Sequence, residues 1–406
     1  NGLDIGSVPV ASKDLQVQTS VAQQVNLVNR AGLALNFWDG GDAGNYNDGK
    51  IAGGSGAWRV GVPGAGWTGP DGKVNAAWVQ DQFAVFGGTG GTVKVSNAGG
   101  TVRITGAQFA ADGYVVQGDA IELGASGTVV RVGDGSGTDI TRSATMNVAL
   151  TGTGGLVKDD VGTLVLGGTN TYTGGTTVKA GVLQGSTASL QGNIVNNAEV
   201  VFDQGPPIVG TYAGAMSGTG RLRKTGGGIL LMGGPNSYTG GTFVDAGLLA
   251  TNFTGALGSG PVSVAAPGRL LFGVTADAGS AAIGNRGSVT FQEKASAGTA
   301  TITNAAGGVL AFSDNASADK ATVINQAGAQ VRIDQTVTGV SFGSLNGAGE
   351  VVLGAKALTL GGSGGDNTLS GSTGALAARS SRWAAARSRC RAPAPTPAAP
   401  RWRPAR

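Results

Sequence analysis

Along residues 92–132 apolar and polar positions alternate. Val93 and Val95, Val102 and Ile104, Ile121 and Leu123, and Val130 and Val132 each flank a polar residue, with Val115 between these pairs. A period of two marks short strands that turn one set of side chains inward. Glycine-rich corners separate the runs, as in Asn97-Ala98-Gly99-Gly100 and Ala125-Ser126-Gly127. Residues 262–360 repeat a simpler form: Val289-Thr290-Phe291, Ile302-Thr303-Asn304, Val309-Leu310-Ala311-Phe312, Val323-Ile324-Asn325 and Val331-Arg332-Ile333. Asn304 and Asn325 both stand at a strand exit, where stacked asparagines can share hydrogen bonds between coils. Residues 14–21 alternate too and predict a strand that opens the array. Helical spacing is missing from these runs.

One stretch organises the rest. Residues 156–183 return as residues 222–249, an offset of 66 residues, and both copies follow a Gly-Thr-Gly. The copies agree at Lys158/Lys224, Leu164/Leu230, Asn170/Asn236, Tyr172/Tyr238, Val178/Val244 and Ala180-Gly181/Ala246-Gly247. Each reads as strand, tight corner and strand, and one such unit cannot bury an apolar face alone. Stacking on its neighbours can. At about 22 residues per coil, within the range of solenoid repeats, the offset would hold about three coils. The fold class expected is all-β, a parallel β-solenoid.

The motif itself carries a resemblance. Gly-x-Gly-x-Leu-x-Lys, Gly-Thr-Leu-x-Leu and Asn-Thr-Tyr-Thr-Gly-Gly-Thr-x-Val-x-x-Gly-x-Leu resemble the passenger-associated transport repeat of Gram-negative autotransporters (type V secretion). The second copy departs at Gly228-Ile229 and Pro235, away from the inward positions. A looser resemblance covers residues 35 to about 371, including Asn36-Phe37-Trp38-Asp39-Gly40 and Ser344-Leu345-Asn346-Gly347. The resemblance implies a right-handed parallel β-helix, exported through the outer membrane by a β-barrel translocator that this chain lacks. It further implies a surface or secreted passenger, an adhesin or virulence-associated stalk, whose partners would be a host cell surface or extracellular matrix.

Composition fits a solenoid better than a compact core: 76 glycines, 13% charged and 5% aromatic residues in 406. Four of six tryptophans, Trp38, Trp58, Trp67 and Trp78, fall within residues 33–86. They could form a sugar-stacking surface, but rings of this kind more often fill cores, and packing is the expectation. The loops Gly40-Gly41-Asp42-Ala43-Gly44-Asn45 and Pro63-Gly64-Ala65-Gly66 are where binding would occur in this region. The net charge of +4 is misleading. Eight arginines and no acid lie in residues 373–406, so the remaining 20 basic and 24 acidic residues leave the body at −4. Nucleic acid is not an expected partner. The single cysteine, Cys390, lies in the same tail, and a body without cysteine suits passage through an oxidising compartment. No stretch approaches 18 apolar residues. Asn1 is not an initiator, and the chain is expected to begin inside a longer protein.

From residue 373 the chain turns to Ala, Arg, Pro and Trp. A basic, proline-rich disordered tail is the plain reading. Reading the codons one base earlier gives a sharper one. Ser380 through Arg403 can then be read as LVKVGGGTLTLPGTSTYTGGTTVA, which aligns without gaps to Leu156 through Lys179. On that expectation the tail is a frameshift product whose arginines and Cys390 have no evolved role. Sequencing the gene across these codons tests it.

Chemistry is scarce. The chain has no histidine, which excludes Ser-His-Asp and Cys-His catalysis and makes the usual zinc sites implausible. Gly361-Gly362-Ser363-Gly364-Gly365 matches a Gly-x-Ser-x-Gly elbow only formally, with no base to serve it. That stretch through Asp366, and Gly133-Asp134-Gly135-Ser136-Gly137-Thr138-Asp139, resemble calcium nonapeptides, but each is single whereas such sites share ligands between tandem copies. The acids are scattered over turns, as at Asp159-Asp160, Asp314, Asp319 and Asp334. No catalytic, cofactor-binding or metal residue is assigned and no cofactor is expected. The chain is expected to divide into an opening cap (1–34), aromatic-rich coils (35–150), two transport repeats (151–250), further coils (251–372) and the tail (373–406), and to act as a monomer without enzymatic activity. The rival classes are a β-helical polysaccharide-acting lyase or hydrolase and a purely structural surface protein.

Overall fold

The computed structural model describes residues 15–21, 25–29, 35–63, 66–362, 364 and 367–374. The tail beyond 374, half of the Gly361–Asp366 motif and part of the Pro63–Gly66 loop lie outside the described residues. The chain forms two units, residues 1–262 and residues 263–406. Each is a parallel β-solenoid.

In the first unit the strands stack into faces. One face carries Leu35–Trp38, Gln82–Phe86, Val102–Phe109, Thr128–Val132, Leu156–Asp159, Thr176–Val178, Ile194–Asn196 and Met216–Ser217. A second carries Gly56–Arg59, Thr92–Ser96, Tyr114–Gly118, Ser143–Met146, Thr163–Leu166, Val182–Gly185, Glu199–Asp203, Arg221–Thr225 and Thr242–Val244. A third starts at Val209–Tyr212 and continues with Ile229–Met232 and Leu248–Thr251. Alternation decides what turns inward: Leu164, Leu166, Val178, Leu183, Leu230 and Val244 are buried, while Val165 and Leu231 between them are partly exposed.

Coil length differs from the expectation. Leu156 lies opposite Thr176, Thr176 opposite Ile194 and Ile194 opposite Met216, so coils advance by 18 to 22 residues. Three coils therefore take residue 156 to residue 216, and the second copy begins at 222, one face further round. The first strand of copy one sits on the first face, and that of copy two on the second. The 66-residue offset is three coils plus one face.

Residues 15–18 do not form a coil strand. Leu15–Gln18 pairs antiparallel with Asn26–Asn29. Ser20 anchors the segment by donating to the Pro70 carbonyl at 2.7 Å, and Val21 joins Phe37, Ile51, Phe83 and Val85 in an apolar cluster. The four tryptophans pack on one another with centroids 4.7 to 5.1 Å apart, and each is at most 2% exposed. They are interior filling where strands are short and irregular.

In the second unit Phe272, Phe291 and Phe312 stack at 4.6 and 5.1 Å, their rings within 9° of parallel. On the facing sheet Asn285 donates to the Asn304 side chain at 2.8 Å, and Asn304 donates to Asn325 at 2.9 Å. Each side-chain amide also donates to the carbonyl of a strand's first residue: Val309, Gln330 and Glu350 respectively. All three asparagines are fully buried, and the ladder satisfies groups that would otherwise cost about 1–3 kcal/mol each.

Candidate functional site

Both copies of the repeat build the same polar scaffold. Val157 and Val165 face outward; Lys158, counted by alternation, must face inward, and it does. Its ammonium lies fully buried at the corner and donates to the carbonyls of Asp159 (2.9 Å), Asp160 (2.6 Å) and Ala180 (3.0 Å). Lys224 repeats this on the carbonyls of Thr225, Gly226 (2.8 Å) and Ala246 (3.3 Å). Ala180 and Ala246 belong to the next coil, so each lysine ties two coils. Burial lowers both lysines to about 8, against the opposing pull of nearby aspartates.

Local backbone explains the motif's glycines here. Gly181 and Gly247 have φ of +67° and +68°, and an added Cβ would meet corner carbonyls at 2.4 Å. Only glycine fits both the left-handed conformation and the close approach.

The asparagine and tyrosine continue the pattern. Asn170 accepts from the Leu150 N–H of the coil before at 2.8 Å and donates to the Ser189 carbonyl of the coil after at 2.8 Å. Asn236 does the same with Met216 N–H (2.6 Å) and the Ala256 carbonyl (2.7 Å). The Tyr172 and Tyr238 hydroxyls pair with Thr176 and Thr242 at 2.6 Å, and burial raises both phenols. Sequence reading found these residues as identities between copies but gave the lysine no role. Its inward phase between Leu156 and the corner was the available signal.

This geometry gives the comparisons their meaning. The family described as passenger-associated-transport-repeat matches residues 156–184 and 222–250, the two segments just described. Both copies are thus passenger-associated transport repeats, the repeat found in autotransporter passengers. Over 296 residues, 65% of its length, the chain is 43% identical to the adhesin BmaC autotransporter of Brucella suis biovar 1 (strain 1330). It spans 8% of that relative's length. No solved structure matches it significantly.

Elsewhere in the chain the loops singled out in the sequence resolve differently. Asp42 caps a short turn at Ala43–Asn45, with its carboxylate accepting from Gly44 N–H at 3.0 Å. Asp39 beside it is buried and accepts from Ala52 N–H (2.8 Å) and Asn75 (2.9 Å), and burial raises its carboxyl. In the 133–139 loop Arg142 fills the middle of the acids. It bonds Asp134 at 2.8 Å, Asp139 at 2.9 Å and the Ala110 carbonyl at 2.7 Å. A guanidinium thus neutralises the carboxylates that made the loop resemble a calcium site. Chelation with EGTA is expected to leave the thermal midpoint unchanged, whereas Arg142→Gln leaves two carboxylates unpaired and makes proteolysis within 133–141 faster.

Sequence reading also missed a ladder of charge. Glu199 accepts from Arg221 and Arg223 at 2.5 and 2.6 Å, and Arg223 bonds Asp245 in turn. Burial pushes the Glu199 carboxyl up, but the two guanidiniums outweigh it and hold it below the ordinary range. The signal was present in the sequence as opposite charges 22 residues apart, at 199/221 and 223/245.

Proposed function

We propose that this chain is part of a non-enzymatic, adhesin-type passenger carried to the surface of a Gram-negative bacterium, its solenoid holding contact surfaces away from the cell. The carrying observation is the pair of transport repeats, whose buried lysine and asparagine tie each coil to its neighbours. Such coils gain stability one at a time, because each buries apolar surface on the last. A chain emerging on the far side of a membrane would be drawn outward by that stepwise gain. The adhesive role follows the relative's name and similarity over 65% of the chain. Host cell surface or matrix is the partner class.

Beads coated with the purified chain test this. Retention on matrix-coated or host-cell surfaces above albumin-coated beads is expected, with no turnover of acidic polysaccharides. Release of unsaturated or reducing ends from such polysaccharides would move the protein to the enzyme class, and absence of retention would remove adhesion.

A further inference from the structure

Where the first and second faces meet, the corners of successive coils leave a groove of about 560 Å³. Val161, Gly181, Ala198, Gly220 and Gly240 follow one another along it. Their strands are successive neighbours in the parallel stack, so the groove crosses four inter-strand steps, about 19 Å, the length of about six extended residues. Its two ends differ in chemistry.

At one end stands Ile140, 71% exposed. Its exposure is imposed by the loop, since Arg142 grips Asp134, Asp139 and the Ala110 carbonyl, and Asp160 accepts from Gly135 N–H at 3.0 Å. Val161 and Val182 continue the apolar wall. Toward the other end, one coil before Gly240, is Arg221, its side chain 48% exposed. One nitrogen bonds Glu199, and the other two have no acceptor among the described residues. Glu199 is shared with Arg223, which also holds Asp245, so Arg221 is the guanidinium of the ladder with donors still open. Asn197 and Thr219, both exposed, line the middle with a side-chain amide and a hydroxyl.

We propose that this groove docks an extended peptide segment of a partner protein, with a carboxylate on Arg221 and an apolar side chain against Ile140. A carboxylate completes the guanidinium's bidentate fork. The midsection offers a side-chain amide and a hydroxyl to a peptide's polar groups, and no aromatic ring lines the groove to stack on a sugar. The proposal rests on the adhesin-type reading for its setting.

The test uses two pools of fluorescein-labelled hexapeptides, identical except that one fixed position is glutamate or lysine, read by fluorescence anisotropy. The glutamate pool is expected to bind and the lysine pool not to. Arg221→Gln is expected to weaken binding about tenfold, the loss of one charge-assisted contact. Ile140→Ser, at a side chain too exposed to affect folding, is expected to weaken it several-fold. Equal binding of the pools, no binding by either, or indifference of both variants overturns the proposal, as does preferential capture of labelled oligogalacturonate. Bead adhesion by the same proteins separates the two claims. Adhesion undiminished in both variants removes the groove and leaves the adhesin reading, whereas peptide binding without adhesion by the parent chain does the reverse.

Discussion

Leu230→Asp opens the second repeat to proteases under conditions that leave the parent chain intact. Leu230 is fully buried, opposite Gly210 in the coil before and Leu249 in the coil after. Gly210 offers no side chain, and Thr187 and Gln204 occupy the space a Cβ would take there. Removing the leucine alone costs about 2–5 kcal/mol. Placing a carboxylate there without a cation adds several more, or forces the group to protonate. The total rivals the stability of an ordinary domain. A solenoid does not fail as a whole, because each coil contacts mainly its neighbours. Cleavage is therefore expected within residues 205–255, with the coils of residues 92–166 still resistant. Mapped limited proteolysis reads this out, with Leu230→Ala as the milder control. Resistance unchanged across residues 205–255 counts against coil stacking as the source of stability.

How much of this was legible in the sequence varies by element. Leu164, Val178, Leu230 and Val244 were, because strand alternation fixes the inward face without knowledge of the partners. The packing role of Trp38, Trp58, Trp67 and Trp78 followed from their size and crowding. The displacement of the second copy by one face was not legible. It depends on Val209–Tyr212, which turns a corner stretch into a strand and founds a third face. A count of residues between copies cannot show which side of a coil becomes a strand. The antiparallel pairing of Leu15–Gln18 was hidden likewise, since alternation is the same in both pairings. Arg142 was missed because its partners Asp134 and Asp139 read naturally as cation ligands. Three-dimensional proximity supplies the guanidinium that the motif alone does not.

The stability of the repeats rises from about pH 8 to a maximum near pH 10, and lysine sets the rising side. Lys158 and Lys224 are lowered to about 8 by burial, whereas an exposed lysine titrates near 10.4. Between these values the unfolded chain holds protons the folded chain has released, so stability rises with pH. Losing a proton sacrifices one of three carbonyl hydrogen bonds, but the lowered values mean that relief from burying charge is the larger effect. The tyrosines act in the opposite sense. Tyr172, Tyr212 and Tyr238 are raised by burial, so above pH 10 the unfolded chain ionises first and stability falls. Lys158→Met with Lys224→Met is expected to abolish the rise while keeping the fall. At neutral pH the double variant strands three carbonyls per corner, among them Ala180 and Ala246 of the following coil. Unpaired buried acceptors cost about 1–3 kcal/mol each, offset by the charge no longer buried, which leaves about 2 kcal/mol lost per site. Urea unfolding of both proteins at pH 7, 8, 9, 10 and 11 measures the two limbs. A variant with the parent's slope between pH 8 and 10 would show that the corner lysines do not carry this linkage. A variant as stable as the parent at pH 7 would mean that water reaches the corner carbonyls, and that the lysines are not what holds one coil to the next.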